Sequence, residues 1–375
     1  MIVVKEITSK RDIKKFIDFQ NYLYKENKYF VPAFFGDELN MLNPKKNPAY
    51  EYCETKLFLA YIDNKIVGRI CALINHAYNE KKNVKQIRFC RYDVIDDIEI
   101  SKKLFEKVFE WAKERDLNQV IGPIGFSDLD KQGLLIEGFE EYSNTITLYN
   151  YPYYMEHLEA IGFRKDVDWV EFQVFTPPTM NDRIEKLSRI ITKRYGYKVV
   201  KLKKRKDIAP YVNKAFDLIN ESFVHLYGVV PITEKQVELA VKQFVTLVNM
   251  DYLYLIENKV GEMIGFGILV PSLNNATKKS NGRLFPFGAL RALKALKTHK
   301  VLDMYLVAVK PAYHNLGVNA LILAEAIKTA IKNGVEYAET GPELDTNEEV
   351  KAQWKEFETR QHRRRRCYTL SLEEK

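Results

Sequence analysis

Cysteine is scarce. Cys53, Cys71, Cys90 and Cys367 are spread through 375 residues with no CxxC pair. That spacing excludes a disulfide framework or zinc knuckle and reads as free thiols in a reducing cytoplasm. The six histidines form no HxH or HxxxH pair, so no metal site is expected. Long apolar runs are missing too. The longest, such as Ile264 to Val270, are strand-sized, well short of the roughly 20 residues a membrane span needs. In the opening MIVVKEITSKR, charge arrives at Lys5 and Glu6. A signal-peptide core cannot form there, and a cytoplasmic location is expected. Neither sign of charge dominates: 58 basic and 50 acidic residues give +8. That excess suits an anionic small molecule such as a phosphorylated cofactor. It argues against nucleic acid, which wants charge concentrated on one face.

What is present is enough apolar material, 46% of residues, for ordinary packed cores. At about 150 residues per domain the length suggests two domains, and the chain carries an internal repeat. KRDIKKFI at Lys10–Ile17 matches RKDIAPYV at Arg205–Val212, with the Asp-Ile pairs 195 residues apart. Each follows a short apolar strand and opens a helix with helical apolar spacing. YIDNK at Tyr61–Lys65 matches LIENK at Leu255–Lys259, an offset of 194. Both read as hairpin turns with Asn-Lys at the tip, followed by Gly-containing strands. A helix over Ser101–Arg115 leads to VIGP, as one over Asn319–Asn333 leads to AETGP; Gly122-Pro123 and Gly341-Pro342 are 219 apart. The larger offset places an insertion at Pro271–Lys300, with a helix expected around Phe287–Lys297 that projects from the second unit.

Thr176-Pro177-Pro178-Thr179 breaks regular structure between the copies. Beyond it Asn181 is placed to cap a helix bearing Ile184, Leu187, Ile190 and Ile191. The expected organisation is a first unit over 1–175, a linker and bridging helix over 176–196, and a second unit over 197–375.

Each copy reads β, α, helical segment, β-hairpin, β, α, β, α, β. This resembles the GNAT superfamily of acyl-CoA-dependent N-acyltransferases, once per half. It is similar in particular to large tandem-GNAT bacterial proteins. The phrases that carry this are GPIGFSDLDKQGLLIEGFE (Gly122–Glu140), YNYPYYMEHLEAIGFRK (Tyr149–Lys165), NGRLFPFG (Asn281–Gly288) and VKPAYHNLGV (Val309–Val318). The implied fold is a mixed α/β sheet in two tandem units. The implied cofactor is acetyl-CoA or a longer acyl-CoA, wedged where the fourth and fifth strands splay, with its pyrophosphate on the next turn.

The superfamily turn reads Q/R-x-x-G-x-G/A. Backbone N–H groups at a helix N-terminus bind anions, and glycine admits a phosphate closely. In the second half the resemblance implies contacts from Val307 and Val309 and from the turn His314, Asn315, Leu316, Gly317, Val318 and Asn319. Gly317 matches the first glycine; His314 and Asn319 depart from the pattern. On its own the turn also reads as an ordinary loop with one glycine. Asn347 resembles the Asn that begins the late helix in many members. In the first half Asp93, Asp96, Asp97 and Glu99 crowd the equivalent turn and repel phosphate, so coenzyme is expected only in the second.

Acyl transfer to an amine needs a base, and a group to stabilise the leaving thiolate. The resemblance draws the base from Asp303, Tyr305 or Glu339. Asp303 also reads as a turn cap and Glu339 as a solvated strand end. The superfamily's thiolate-protonating tyrosine is missing: Leu158 stands there in the first half, and Trp354 and Phe357 occupy the late helix of the second. Ser127, Asp128, Glu137, Asn150, Tyr153 and Tyr154 read either as a substrate pocket wall or as packing between the units. The insertion carries Leu284, Phe285, Phe287, Leu290, Leu293 and Leu296 among basic residues. It suits a cover for a fatty chain, a membrane-surface segment, or a packing helix. HRRRR at His362–Arg366, the strongest charge cluster, reads as a solvated lead-in to a last strand at Cys367–Leu372 or as a contact to coenzyme phosphates, ahead of a nucleic-acid patch.

The leading expectation is an N-acyltransferase acting on a small-molecule acceptor, with a homodimer as an option. The rivals are a binding module that has lost its chemistry, and an aminoacyl transferase using aminoacyl-tRNA.

Overall fold

The computed structural model describes residues 1–127, 130–244 and 248–373. The first half runs β1 (Val3–Ile7), α1 (Lys10–Leu23), α2 (Phe35–Met41), β2 (Cys53–Ile62), β3 (Lys65–Asn75), α3 (His76–Lys82), β4 (Gln86–Val94), α4 (Ile98–Glu114), β5 (Gln119–Gly122), β6 (Leu134–Glu137), α5 (Tyr153–Ile161) and β7 (Arg164–Phe175). After α6 (Asp182–Tyr195) come β8 (Lys198–Val200), α7 (Ala209–Phe223), α8 (Glu234–Phe244), β9 (Leu253–Glu257), β10 (Met263–Pro271), α9 (Asn274–Lys278), α10 (Gly288–Ala295), β11 (Val301–Val309), α11 (Val318–Asn333), β12 (Tyr337–Glu339), β13 (Glu343–Leu344), α12 (Glu348–Gln353) and β14 (Thr359–Ser371).

Local chemistry sets many of these boundaries. Ser9 caps α1 by accepting from the Asp12 amide at 3.1 Å. Asn181 caps α6 through the Arg183 amide at 2.8 Å. Asp63 and Asn64 both take positive φ between β2 and β3, the geometry of a two-residue hairpin turn. The second hairpin is wider: the Asn258 side chain accepts from Val260 and Glu262 amides, and Gly261 takes positive φ. In α4, Ile100, Leu104, Phe105, Val108 and Trp111 face the core at helical spacing.

The sheet order is β1-β2-β3-β4-β5-β14-β7-β12-β11-β10-β9-β8, with β6 on β14 and β13 on β7. Raising each first-half strand number by seven reproduces the second half: β5 meets β14 as β12 meets β7. One continuous sheet therefore holds two pseudo-symmetric units that exchange their closing strands. The exchanged strands, β7 and β14, form an antiparallel seam from Thr359↔Val174 to Thr369↔Arg164.

That seam corrects the reading of HRRRR. The last strand begins at Thr359, so the basic run lies inside a central strand. Alternation sends Arg363 and Arg365 to a buried face, where both pair with Glu171 of β7. Arg364 and Arg366 take the other face and pair with Asp168. Strand periodicity and facing carboxylates neutralise a run that would otherwise be solvated.

The insertion contains the expected helix but does not simply project. The Phe35 amide donates to the Gly282 carbonyl at 2.8 Å, and Arg283 pairs with Asp18 at 2.6 Å, so its base is tied to the first half. On α6, Ile191 is buried while Leu187 and Ile190 stay exposed, so the helix uses less of its apolar surface than its sequence offers.

Candidate functional site

β11 and β12 run parallel for three registered pairs, ending at Asp303↔Glu339. β11 then continues to Val309 without β12, and the strands part. The first half does the same: β4 and β5 pair only as far as Arg88↔Ile121. Hairpin register aligns the two parted strands, because Val94 faces Gly68 and Val309 faces Gly265. By that alignment Arg88 corresponds to Asp303 and Phe89 to Met304; counted from the Gly-Pro pairs, Ile87 opposite Val120 corresponds to Asp303 opposite Glu339, and neither first-half residue is a carboxylate.

The first wedge is closed. A Cβ on Gly122 would strike the Phe89 carbonyl oxygen at 2.4 Å. Tyr153 donates to the Val94 carbonyl at 2.7 Å, and the Val94 amide donates to the Tyr154 hydroxyl at 2.9 Å. Tyr24 gives its proton to Asp93 at 3.0 Å, so the Tyr154 hydroxyl, 2.8 Å away, donates to Tyr24. Asp93 is not at the turn. It lies buried on β4, paired with Arg69 at 2.6 Å. Asp97 is at the turn, and its carboxylate caps α4 through the Glu99 amide at 3.0 Å.

The second wedge is not closed at the matching glycine. A Cβ on Gly341, the counterpart of Gly122, would meet nothing nearer than the Met304 carbonyl oxygen at 3.8 Å. Met304, Tyr305 and Leu306 are half-buried and Val307 is exposed. α12, the counterpart of α5, contains no tyrosine. On the following turn His314 and Asn315 are exposed, Leu316, Gly317 and Asn319 half-buried, and Val318 buried. No side chain caps α11, whose cap residue is Gly317 at φ 83°. A helix N-terminus without a side-chain cap can present its N–H groups to an anion. Gly317 has another duty, because its Cβ position lies 2.4 Å from Ile191 Cδ1 of α6. The His314 ring sits 3.0 Å from the Val309 carbonyl, which also accepts from Ser222 at 2.9 Å.

Ionisable groups meet where the strands part. Asp303 is buried. Burial, and then the Glu339 charge beside it, push its carboxyl up to about 8. Asn144 donates to Asp303 Oδ1 at 2.9 Å. Glu339 accepts from Arg363 Nη2 at 2.8 Å, and Arg363 Nε reaches Glu171 at 2.6 Å. Glu171 is shared with Arg365, and the two guanidinium groups overcome burial to hold its carboxyl down at about 2. Tyr305 lies two residues along β11 from Asp303, with Thr145 beside it; burial, then Asp303, pushes its phenol up. The cluster thus combines an ionised buried chain with one carboxyl balanced near neutrality. A general base works best when its pKa lies near the operating pH.

Asp303, Tyr305 and Glu339 are brought together, and neither Asp303 nor Glu339 is a turn cap or solvated strand end. Asn144 and Glu171 were not singled out from the sequence, and Arg363 only as part of the HRRRR run. The signal for Glu171 and Arg363 was charge within otherwise strand-like stretches. Of the six first-half pocket candidates, Asp128 lies outside the described residues. Asn150 bonds both backbone groups of Leu135, and Tyr153 and Tyr154 bond Val94, so these three are held by structural hydrogen bonds. Glu137 is exposed and reaches Arg364 at 3.4 Å; Ser127 is buried. Asn347 caps α12 through the Val350 amide at 3.2 Å, apart from the Asp303 bonds. The recess lined by Pro177, Pro178, Ile184 and Phe357 contains none of the clustered groups.

No family model matches the chain. Protein YghO of Escherichia coli (strain K12) is 27% identical over 377 residues, covering 99% of this chain and 95% of that protein. A protein of Caulobacter vibrioides named as a bacterial ceramide synthase is 24% identical over 296 residues, covering 77% of this chain and 75% of that one. Among solved structures, a tandem GNAT protein from the clavulanic acid biosynthesis pathway superposes with a TM-score of 0.56 at 12% identity, covering 99% of both chains. A GCN5-related N-acetyltransferase from Sphaerobacter thermophilus gives 0.51 at 11% identity, covering 99% of this chain and 96% of that one. The fold is that of two tandem GNAT units, as the sequence pattern implied.

Proposed function

We propose that the chain is an N-acyltransferase that moves an acyl group from acyl-CoA to an amine, with its one coenzyme site in the second unit. The observation that carries this reading is the contrast between the wedges: a Cβ fits at Gly341 in ordinary contact, 3.8 Å from the Met304 carbonyl oxygen, while at Gly122 it would collide with the Phe89 carbonyl oxygen at 2.4 Å. We further propose the units as 1–175 and 197–375, joined through 176–196, each completed by the other's closing strand.

Acyl-CoA would supply an activated thioester. The open strand Met304–Val309 would line its pantetheine arm, and the uncapped α11 N-terminus would face its phosphates. Asp303 is the residue that takes the amine proton. Its raised pKa matches a proton acceptor at neutral to mildly basic pH. Asn144 fixes the carboxyl's orientation. Glu339, held by Arg363, stands beside Asp303 and is, after burial, the next cause of its raised pKa. In the first unit the residues that align with Asp303 are Ile87 and Arg88, neither of which can accept a proton; the buried Arg88 donates to the Gly125 carbonyl at 3.0 Å.

A non-catalytic acyl-CoA binder is the second reading. The lack of a tyrosine in α12 favours it, since no thiolate-protonating phenol stands there. The relative named as a bacterial ceramide synthase recommends long-chain acyl-CoA and a long-chain amine as test substrates beside acetyl-CoA.

Calorimetry on the wild type and Gly341→Leu tests the site. Acetyl-CoA or long-chain acyl-CoA should bind the wild type, and the leucine should fill the wedge and abolish binding without lowering Tm. Equal binding by both proteins, or none by the wild type, overturns the reading. Binding without turnover for any amine leaves the binder reading in place.

A further inference from the structure

Between Glu262 and Asp303 there is no Asp or Glu, while seven Lys and Arg residues stand in that span. The span coincides with the densest exposed apolar surface among the described residues. Phe285 is 83% exposed, Leu290 65%, Phe287 61% and Leu293 58%. Isolated exposed apolar residues are ordinary, but a contiguous group framed by cations marks an interaction surface.

The segment is held rigidly at its base. Gly282 takes φ 71° and packs so closely on Ala33 that a Cβ would meet its carbonyl oxygen at 2.0 Å. The Arg283 guanidinium lies 4.0 Å from the Phe35 ring centre and pairs with Asp18. Lys278 donates to the Asn27 carbonyl at 3.1 Å. These ties present the tip outward as a fixed edge. Beyond them Lys279, Lys294 and Lys297 make no ion pair among the described residues.

Charge decides what covers this surface. A second copy applied face to face would set the same unpaired lysines against each other. A fatty chain would satisfy the phenylalanines and leucines but leave the cations unmatched. A bilayer with anionic headgroups satisfies both, because apolar side chains enter the acyl boundary while lysines meet phosphates. From this match we propose that the 279–297 edge docks the protein on an anionic phospholipid membrane surface. The docking does not depend on the acyltransferase reading. Among the described residues no helix is long and apolar enough to cross the membrane, and the docking proposed is peripheral. The same segment starts at the candidate site: the Asn274 side chain accepts from the Thr145 amide at 3.1 Å, next to Asn144.

Cosedimentation with vesicles tests the proposal, using phosphatidylglycerol mixed into phosphatidylcholine against phosphatidylcholine alone. The full-length protein should pellet with the anionic vesicles and lose binding as salt is raised. Phe285→Ser/Phe287→Ser and Lys294→Glu/Lys297→Glu should each weaken binding by at least about tenfold with unchanged circular dichroism, since all four side chains are exposed. Leu187→Ser/Ile190→Ser, on the exposed face of α6, should leave it unchanged. Failure of the wild type to pellet with anionic vesicles overturns the proposal, as does undiminished binding by the edge variants. A dimer abolished by Phe285→Ser/Phe287→Ser would assign the surface to a second copy and overturn it equally.

Discussion

Gly341 faces the Met304 carbonyl across a gap in which a Cβ would still stand 3.8 Å away, while its counterpart Gly122 would drive a Cβ to 2.4 Å from Phe89. The same Gly-Pro dipeptide thus ends the fifth strand of both units with opposite results. In the first, Phe89, Tyr153 and Tyr154 have converted the wedge into core. In the second, the wedge remains and ends on Asp303 and Glu339.

Asp303→Asn should reduce kcat by roughly 10²–10⁴-fold while leaving coenzyme affinity within a few-fold, the pattern of a lost general base. The wild-type rate should rise with pH through an apparent pKa near the Asp303 value of about 8, and the residual rate of the variant should lack that limb. Steady-state kinetics across pH measure both. The same group makes a stability prediction. A carboxyl raised in the folded state holds its proton longer than in the unfolded chain. Its contribution therefore falls as pH rises between the ordinary carboxylate value and about 8. Asp303→Asn should flatten that slope in denaturant titrations.

Glu171 works in the opposite sense. Arg363 and Arg365 depress its carboxyl to about 2, so its stabilisation is complete above the ordinary glutamate value and is lost as pH falls toward 2. Glu171→Gln should cost about 3–5 kcal/mol at neutral pH, because it leaves the buried Arg365 without its carboxylate and takes one of two from Arg363. Urea unfolding at pH 7 and at pH 3 should show the deficit shrinking at the lower pH.

Much of the fold was legible because it was written locally. YIDNK marks its own hairpin, although the tip is Asp63-Asn64 and not Asn64-Lys65, Asn181 its own helix cap, and the two Gly-Pro pairs their own strand ends. The exchange of β7 and β14 has no such mark. It depends on Glu171 meeting Arg363 and Arg365 about 190 residues away in sequence, and nothing within HRRRR announces a partner at that distance. The catalytic candidates Asp303, Tyr305 and Glu339 were readable from their strand positions. Their electrostatics were not, since Asp303's raised pKa arises from burial and from a neighbour on another strand. Asp93 shows the converse error: a residue adjoining the turn in sequence belongs instead to the core ion pair with Arg69.

Gly317 was expected to matter for phosphate approach, and its contact with Ile191 adds a structural demand. Gly317→Ala should lower stability by about 1–3 kcal/mol even without coenzyme, from the positive φ and the 2.4 Å approach to Ile191. Combining it with Ile191→Ala should recover part of any loss due to the collision. Thermal melts of the single and double variants, read as a double-mutant cycle, separate this packing role from an effect on binding.

Tyr154→Phe should destabilise the first unit by about 1–3 kcal/mol, since it leaves the buried Val94 amide without its acceptor. Coenzyme affinity should not change. Chemical denaturation and calorimetry on the same preparation check the two halves of this statement.

Hydrogen exchange with and without acyl-CoA tests the central assignment most directly, because it reads both wedges in one experiment. Bound coenzyme should protect amides of 304–309 and the first turn of α11, and leave 89–100 unchanged. Protection over 89–100, or no protection at 304–321 under conditions where calorimetry shows binding, would contradict it.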